Sequence, residues 1–168
     1  DFTETITLST SGGGSLSGDV DVAAVAGVAT FAGVGYMASA DKESVTVSAD
    51  DEATGGDFAA ITSSSLRSEV TATRLVFQVQ PTPRSAFSGD VLTFAPALTV
   101  AAVDSAGVVD VDYIASVNVS ETGGAGGVLL AFAGDTDADE ATSIMSAVAG
   151  LGRFTGLTSR YTAVTESN

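Results

Sequence analysis

Two stretches of this chain occur twice, and that limits the possible folds more than any other feature. The opening, DFTETITLSTSGG, matches DYIASVNVSETGG starting at Asp112. The match pairs Phe2 with Tyr113, Ile6 with Val117, Leu8 with Val119 and Ser9 with Ser120, at an offset of 111 residues. VAGVATFAGV, from Val25 to Val34, matches VAGLGRFTGL, from Val148 to Leu157, at an offset of 123. The second copy therefore holds 12 extra residues, placed around AFAGDTDADEAT. Self-similarity of this kind marks a repeated structural module. The copies are staggered against the chain. VTVSADD, which follows Ser44, has no counterpart in the second copy, and LVFQVQP and LTVAAVDSAG have none before Asp1. The sequence thus predicts a first module over 1–72 that lacks its opening strands. A second module, over 73–168, lacks its closing strands. The boundary falls at Val70–Arg74, with no linker-like composition to separate the two.

Within each copy the hydrophobic period is two, the signature of half-buried strands. Ile6 and Leu8 share one face, Val45 and Val47 another, then Leu75, Phe77 and Val79, Leu98, Val100 and Ala102, and Val117 and Val119. Strands are expected near 3–9, 20–25, 28–34, 44–50 and 61–71 in the first module. In the second they are expected near 74–80, 97–104, 115–120, 142–148 and 151–157. Turn-forming clusters separate them at Ser11–Gly14, Gly55–Asp57, Ser88–Asp90, Ser105–Gly107 and Gly123–Gly127. Asp139–Val148 also reads as a short helix, whereas the repeat favours a strand near Ala147. Many short strands with such punctuation imply an all-β sandwich or barrel. The 19 glycines fit that class, and the mainly Ala and Val apolar content fits a thin core.

TATRLVFQVQP, a Gly–Asp turn, PALTVAAVDSAG, DYIASVNVS and VAGLGRFTGL together resemble the bacterial Ig-like tandem repeats of large secreted and surface proteins. The matching segments are Leu75–Pro81, Leu98–Gly107, Val117–Gly124 and Val148–Leu157, with Ile6–Gly13 and Val25–Val34 in the first copy. The resemblance implies tandem immunoglobulin-like β-sandwich modules and an adhesin, filament or stalk role. It carries over no catalytic residue.

Composition excludes several functions. The net charge is −15, from 21 acidic and 6 basic residues. Such a chain is repelled by nucleic acid and by anionic membranes. No apolar run reaches the length of a membrane span. Histidine and cysteine are absent, which removes the commonest general base, thiol chemistry and zinc–thiolate sites. A serine triad lacks its histidine. Serine–lysine chemistry would need Lys42, the only lysine, which is expected to be exposed in an acidic turn. Paired carboxylates for sugar cleavage are numerous, but no pair is singled out and no tryptophan is present to hold a sugar ring. GGAGG at Gly123–Gly127 has no Lys-Ser/Thr after it and is no phosphate loop. Asn118-Val-Ser120 matches a glycosylation sequon inside an expected strand, a chance match.

Three acidic groups remain. Asp135, Asp137, Asp139 and Glu140 alternate in the insertion and could converge on calcium, although the EF-hand spacing is not met. The plainer reading is a hydrated loop. Asp104, Asp110 and Asp112 read as an Asx-type turn closing on Gly107, followed by a charged strand edge. Asp50, Asp51, Glu52 and Asp57 read as a hydrated loop after a strand, with calcium binding as the alternative.

Two functions follow as expectations. The first is a non-catalytic structural segment of an extracellular or cell-surface filament, fibre or stalk. Its partners are copies of itself or adjacent modules of the same chain. The incomplete modules then reflect either an excerpt of a longer array, which the repeat phase favours, or β-strand addition between neighbours. The second is a calcium-dependent adhesin module that binds a carbohydrate or protein.

Overall fold

In a computed structural model the chain is all-β, and every strand pairing is antiparallel. The structure describes residues 2–51, 58–82, 91–120, 128–131 and 142–161. No helix occurs among them, and none is long and apolar enough to cross a membrane. Several antiparallel sheets without helices are consistent with the β-sandwich class. The chain divides into two compact units, Asp1–Val70 and Thr71–Asn168.

The first unit contains β1 (Thr5–Thr10), β2 (Ser15–Ser17), β3 (Asp21–Ala23), β4 (Gly35–Met37), β5 (Ser44–Val45), β6 (Val47–Asp50), β7 (Ile61–Thr62) and β8 (Leu66–Arg67). A four-stranded sheet runs in the order β3-β1-β6-β7, and β2-β4 and β5-β8 form separate pairs. The second unit contains β9 (Arg74–Val79), β10 (Val91–Thr93), β11 (Leu98–Val103), β12 (Ser116–Ser120), β13 (Val128–Ala131), β14 (Thr142–Ser146), β15 (Leu151–Phe154) and β16 (Thr158–Tyr161). Its sheets are β15-β11-β9, β12-β14 and β10-β16-β13.

The segments matched in sequence share local geometry. β1 pairs with β3 through Thr5↔Ala23, Ile6↔Val22 and Thr7↔Asp21. β12 pairs with β14 through Ser116↔Ser146, Val117↔Met145 and Asn118↔Ile144, which are the same positions under the two offsets. The Val-Ala-Gly turns also agree. Val25 bridges Val28, and Val148 bridges Leu151. Ala26 and Gly27 have φ of 52° and 84°, and Ala149 and Gly150 have 50° and 74°. Two consecutive residues with positive φ make a type I′ hairpin turn, which is why glycine occupies the second place in both.

Beyond these shared parts the units differ. β6 lies against β1, pairing Thr7–Thr10 with Asp50–Val47, whereas no described strand lies on the corresponding edge of β12. β11 lies against β15, pairing Leu98 with Phe154 and Val100 with Gly152. Residues 28–34 were expected to form a strand like β15, but they form none. After the Val25↔Val28 bridge, regular structure resumes only at β4. The sequence there suits a strand, but strand formation depends on a neighbour to pair with, and no counterpart of β11 occurs among the described residues of the first unit. The expected strand over 61–71 is likewise reduced to β7 and β8. Asp139–Val148 is resolved over its described part in favour of a strand, β14.

The clearest core is in the second unit. Leu98, Val100, Val117, Ala147, Phe154 and Leu157 are buried together, with Phe94, Tyr113, Val119 and Met145 packed against them. β11 supplies Leu98 and Val100, and every residue of that strand is buried. It pairs on both sides, with β15 and β9, so its near-continuous apolar run suits its position. The register slips by one residue between Thr99 and Val100. Thr99 therefore faces Val79 and Val100 faces Phe77, leaving Gln78 as a bulge. The bulge separates Val79 from the shared face expected for Leu75, Phe77 and Val79. Leu75 and Phe77 are 46% and 47% exposed, against the half-buried face expected from their alternation.

Candidate functional site

Matched residues are not equally buried, and this difference locates the site. Val117, Phe154 and Leu157 are fully enclosed in the second unit. Their counterparts Ile6, Phe31 and Val34 are only half-buried. The deficit opens as a hollow of about 640 Å³ in the first unit. Its apolar lining includes Phe2, Ile6, Phe31, Ala49, Phe58 and Ile61. Phe58 and Ile61 are 62% and 72% exposed, and the Phe2 ring meets Phe58 edge-on at 5.4 Å between centroids. One polar group stands out on this wall. Asp51 is buried at 5% exposure, and its Oδ2 has no hydrogen-bond partner among the described residues. A buried carboxylate oxygen without a donor is a costly arrangement; residues 52–57, which follow it in the chain, lie outside the described residues.

The second unit has a smaller recess, of about 210 Å³, lined by residues of β9, β11 and β12. Leu75, Phe77, Val119 and Ser120 line it. Asn118, Val119 and Ser120, which line it, match Thr7, Leu8 and Ser9, the residues that β6 pairs with in β1.

A polar knot holds the first unit beside the Ser11–Gly14 turn. The Gly14 N–H donates to Tyr36 Oη at 3.0 Å, and Tyr36 Oη donates to Glu43 Oε2 at 2.9 Å. The Gly13 N–H and the Ser39 hydroxyl also donate to the Glu43 carboxylate. A Cβ at Gly14 would lie 2.0 Å from the Met37 carbonyl oxygen, so the close approach requires glycine. The Gly13 hydrogen bond, with Tyr36 next in weight, holds the Glu43 carboxyl below its ordinary value. Burial raises the Tyr36 hydroxyl, and its bond to Glu43 adds to the rise. Glu43 thus stabilises the fold above the ordinary carboxylate pKa of about 4.3, and that contribution fades as pH falls through its lower folded value. Glu43→Gln should therefore lower the thermal midpoint at pH 7. Its difference from wild type should shrink below about pH 4, as melting curves across pH would show. A difference that stays constant with pH would refute this role.

The acidic groups take different places. Asp135, Asp137, Asp139 and Glu140, the calcium candidates, lie outside the described residues, as do Glu52 and Asp57. Asp104 is the expected turn residue: its Oδ1 accepts the Val108 N–H at 2.8 Å, and its carbonyl accepts from Gly107 at 3.3 Å. Asp110 is not on a charged edge, as had been expected. It is buried, and its Oδ2 accepts the Ala72 N–H at 2.8 Å. Asp112 is exposed. Asp50 is exposed and accepts the Asp51 N–H, but Asp51 is no hydrated loop residue. Lys42, expected to be exposed, is partly buried and paired with Glu69.

The hollow itself was missed in the sequence because Phe58 and Ile61 stand in a stretch without clear period. The signal that could have found it was the missing β11 counterpart. No family model, curated protein or solved structure matches the chain.

Proposed function

We propose that the chain is a non-catalytic structural segment of an extracellular filament, fibre or surface stalk. It is built of immunoglobulin-like modules that meet their neighbours by β-strand exchange. The observation that carries this reading is the complementary pattern of gaps. Two units share the β1–β3 and β12–β14 register, yet among the described residues one has β6 without a counterpart of β11, and the other has β11 without a counterpart of β6. An open strand edge beside an apolar face is a template for another strand. The acidic surface keeps such chains apart except where strand pairing and apolar contact outweigh repulsion. Sedimentation velocity and electron microscopy of the purified chain over rising concentration should show ordered oligomers or fibres. A strictly monomeric chain at every concentration, in salt as well as in water, would count against the exchange.

A further inference from the structure

We infer that the hollow of the first unit is an acceptor for one kind of strand: a six-residue segment with the side-chain pattern of β11, running antiparallel to residues 28–31. The inference rests on the proposed reading of two incomplete copies of one module, and it specifies what completes the first of them.

The second unit shows the completed arrangement. There β11 places Leu98 and Val100 against Val117 and Phe154. It pairs Leu98 with Phe154, Thr99 with Arg153, Val100 with Gly152 and Ala101 with Leu151. Carried over through the matched residues, the incoming leucine would sit opposite Phe31. The next three residues would face Thr30, Ala29 and Val28. Its leucine and valine side chains would then point at Ile6 and Phe31, both of which line the hollow. The turn that leads into residues 28–31 is already formed, because Ala26 and Gly27 have φ values close to those of Ala149 and Gly150.

A small apolar ligand could fill the space but would leave residues 29–31 without a strand beside them. A strand supplies the apolar side chains and a pairing backbone together.

The test uses the whole chain and a synthetic peptide of residues 96–104, PALTVAAVD, with terminal lysines added for solubility. Binding should slow amide hydrogen exchange at residues 28–31 by about tenfold or more, and should raise the thermal midpoint. A peptide with Leu98→Asp and Val100→Asp should bind at least about tenfold more weakly, and a chain carrying Phe31→Asp should lose the protection. The inference is overturned if the peptide leaves exchange at 28–31 unchanged, if it protects β12 instead, or if the Asp-substituted peptide binds as well. These results are separable from the structural role. Fibres that form without protection at 28–31 would sink the strand assignment alone. Peptide capture by a chain that never assembles would sink the filament reading alone.

Discussion

Phe154→Ala is expected to destabilise the second unit by about 3–5 kcal/mol, whereas Phe31→Ala, at the matched position, should cost the first unit about 1 kcal/mol. Phe154 is 0% exposed and sits among Leu98, Val100 and Val117, so truncation leaves a cavity that the surrounding strands cannot close. Phe31 already borders open space, and its removal enlarges a hollow without creating a new void. Urea unfolding followed residue by residue in NMR spectra would separate the two units. Equal losses at the two phenylalanines would show that the first unit is as well filled as the second, and would remove the asymmetry on which the acceptor argument stands.

Gly150→Ala should be the second severe substitution, costing about 3 kcal/mol, and Gly27→Ala should cost about 1 kcal/mol. Both glycines have positive φ, so both alanines bear backbone strain. Only at Gly150 does the added Cβ also meet an obstacle, the Asp110 carbonyl oxygen at 2.2 Å. At Gly27 nothing lies within 4 Å. The Gly150 carbonyl also accepts the Ala102 N–H at 2.9 Å, so relief of the clash would disturb β11 itself. Thermal melts of the two variants are the direct comparison, and similar midpoints would contradict the packing described around Gly150.

Where the sequence was informative, periodicity met a strand that had its neighbours. β1, β9, β11, β12 and β14 lie close to their expected bounds, because each pairs along most of its length, and β1, β9 and β12 also alternate in sequence. β2, β4 and β10 were not legible. They are three residues long, and Ser15–Ser17 or Gly35–Met37 carry too few apolar side chains to show a period. Residues 28–34 show the opposite failure: a strand-like sequence stays irregular where no described strand lies beside it. The bulge at Gln78 was also hidden, since a one-residue slip leaves no mark in the order of apolar residues.

The candidate site was legible only in part. Asp104 announced its turn through Asp-Ser-Ala-Gly, a local pattern that needs no tertiary context. Asp51 and Asp110 did not announce their burial, because acidic residues beside strands are ordinarily solvated. The Tyr36–Glu43 knot joins residues from three separate segments, and nothing local to any of them signals the contact.

The type I′ turn at Ala26–Gly27 has a consequence for recognition. Together with the β1–β3 register it fixes the rim of the hollow before anything enters. In the proposed acceptor only the turn is shaped in advance, so the ordering entropy falls on the incoming segment and on residues 28–31. For the strand proposed to enter the hollow, selectivity would then depend on which sequences are easily held extended, which favours short β-branched runs over glycine-rich or helical ones.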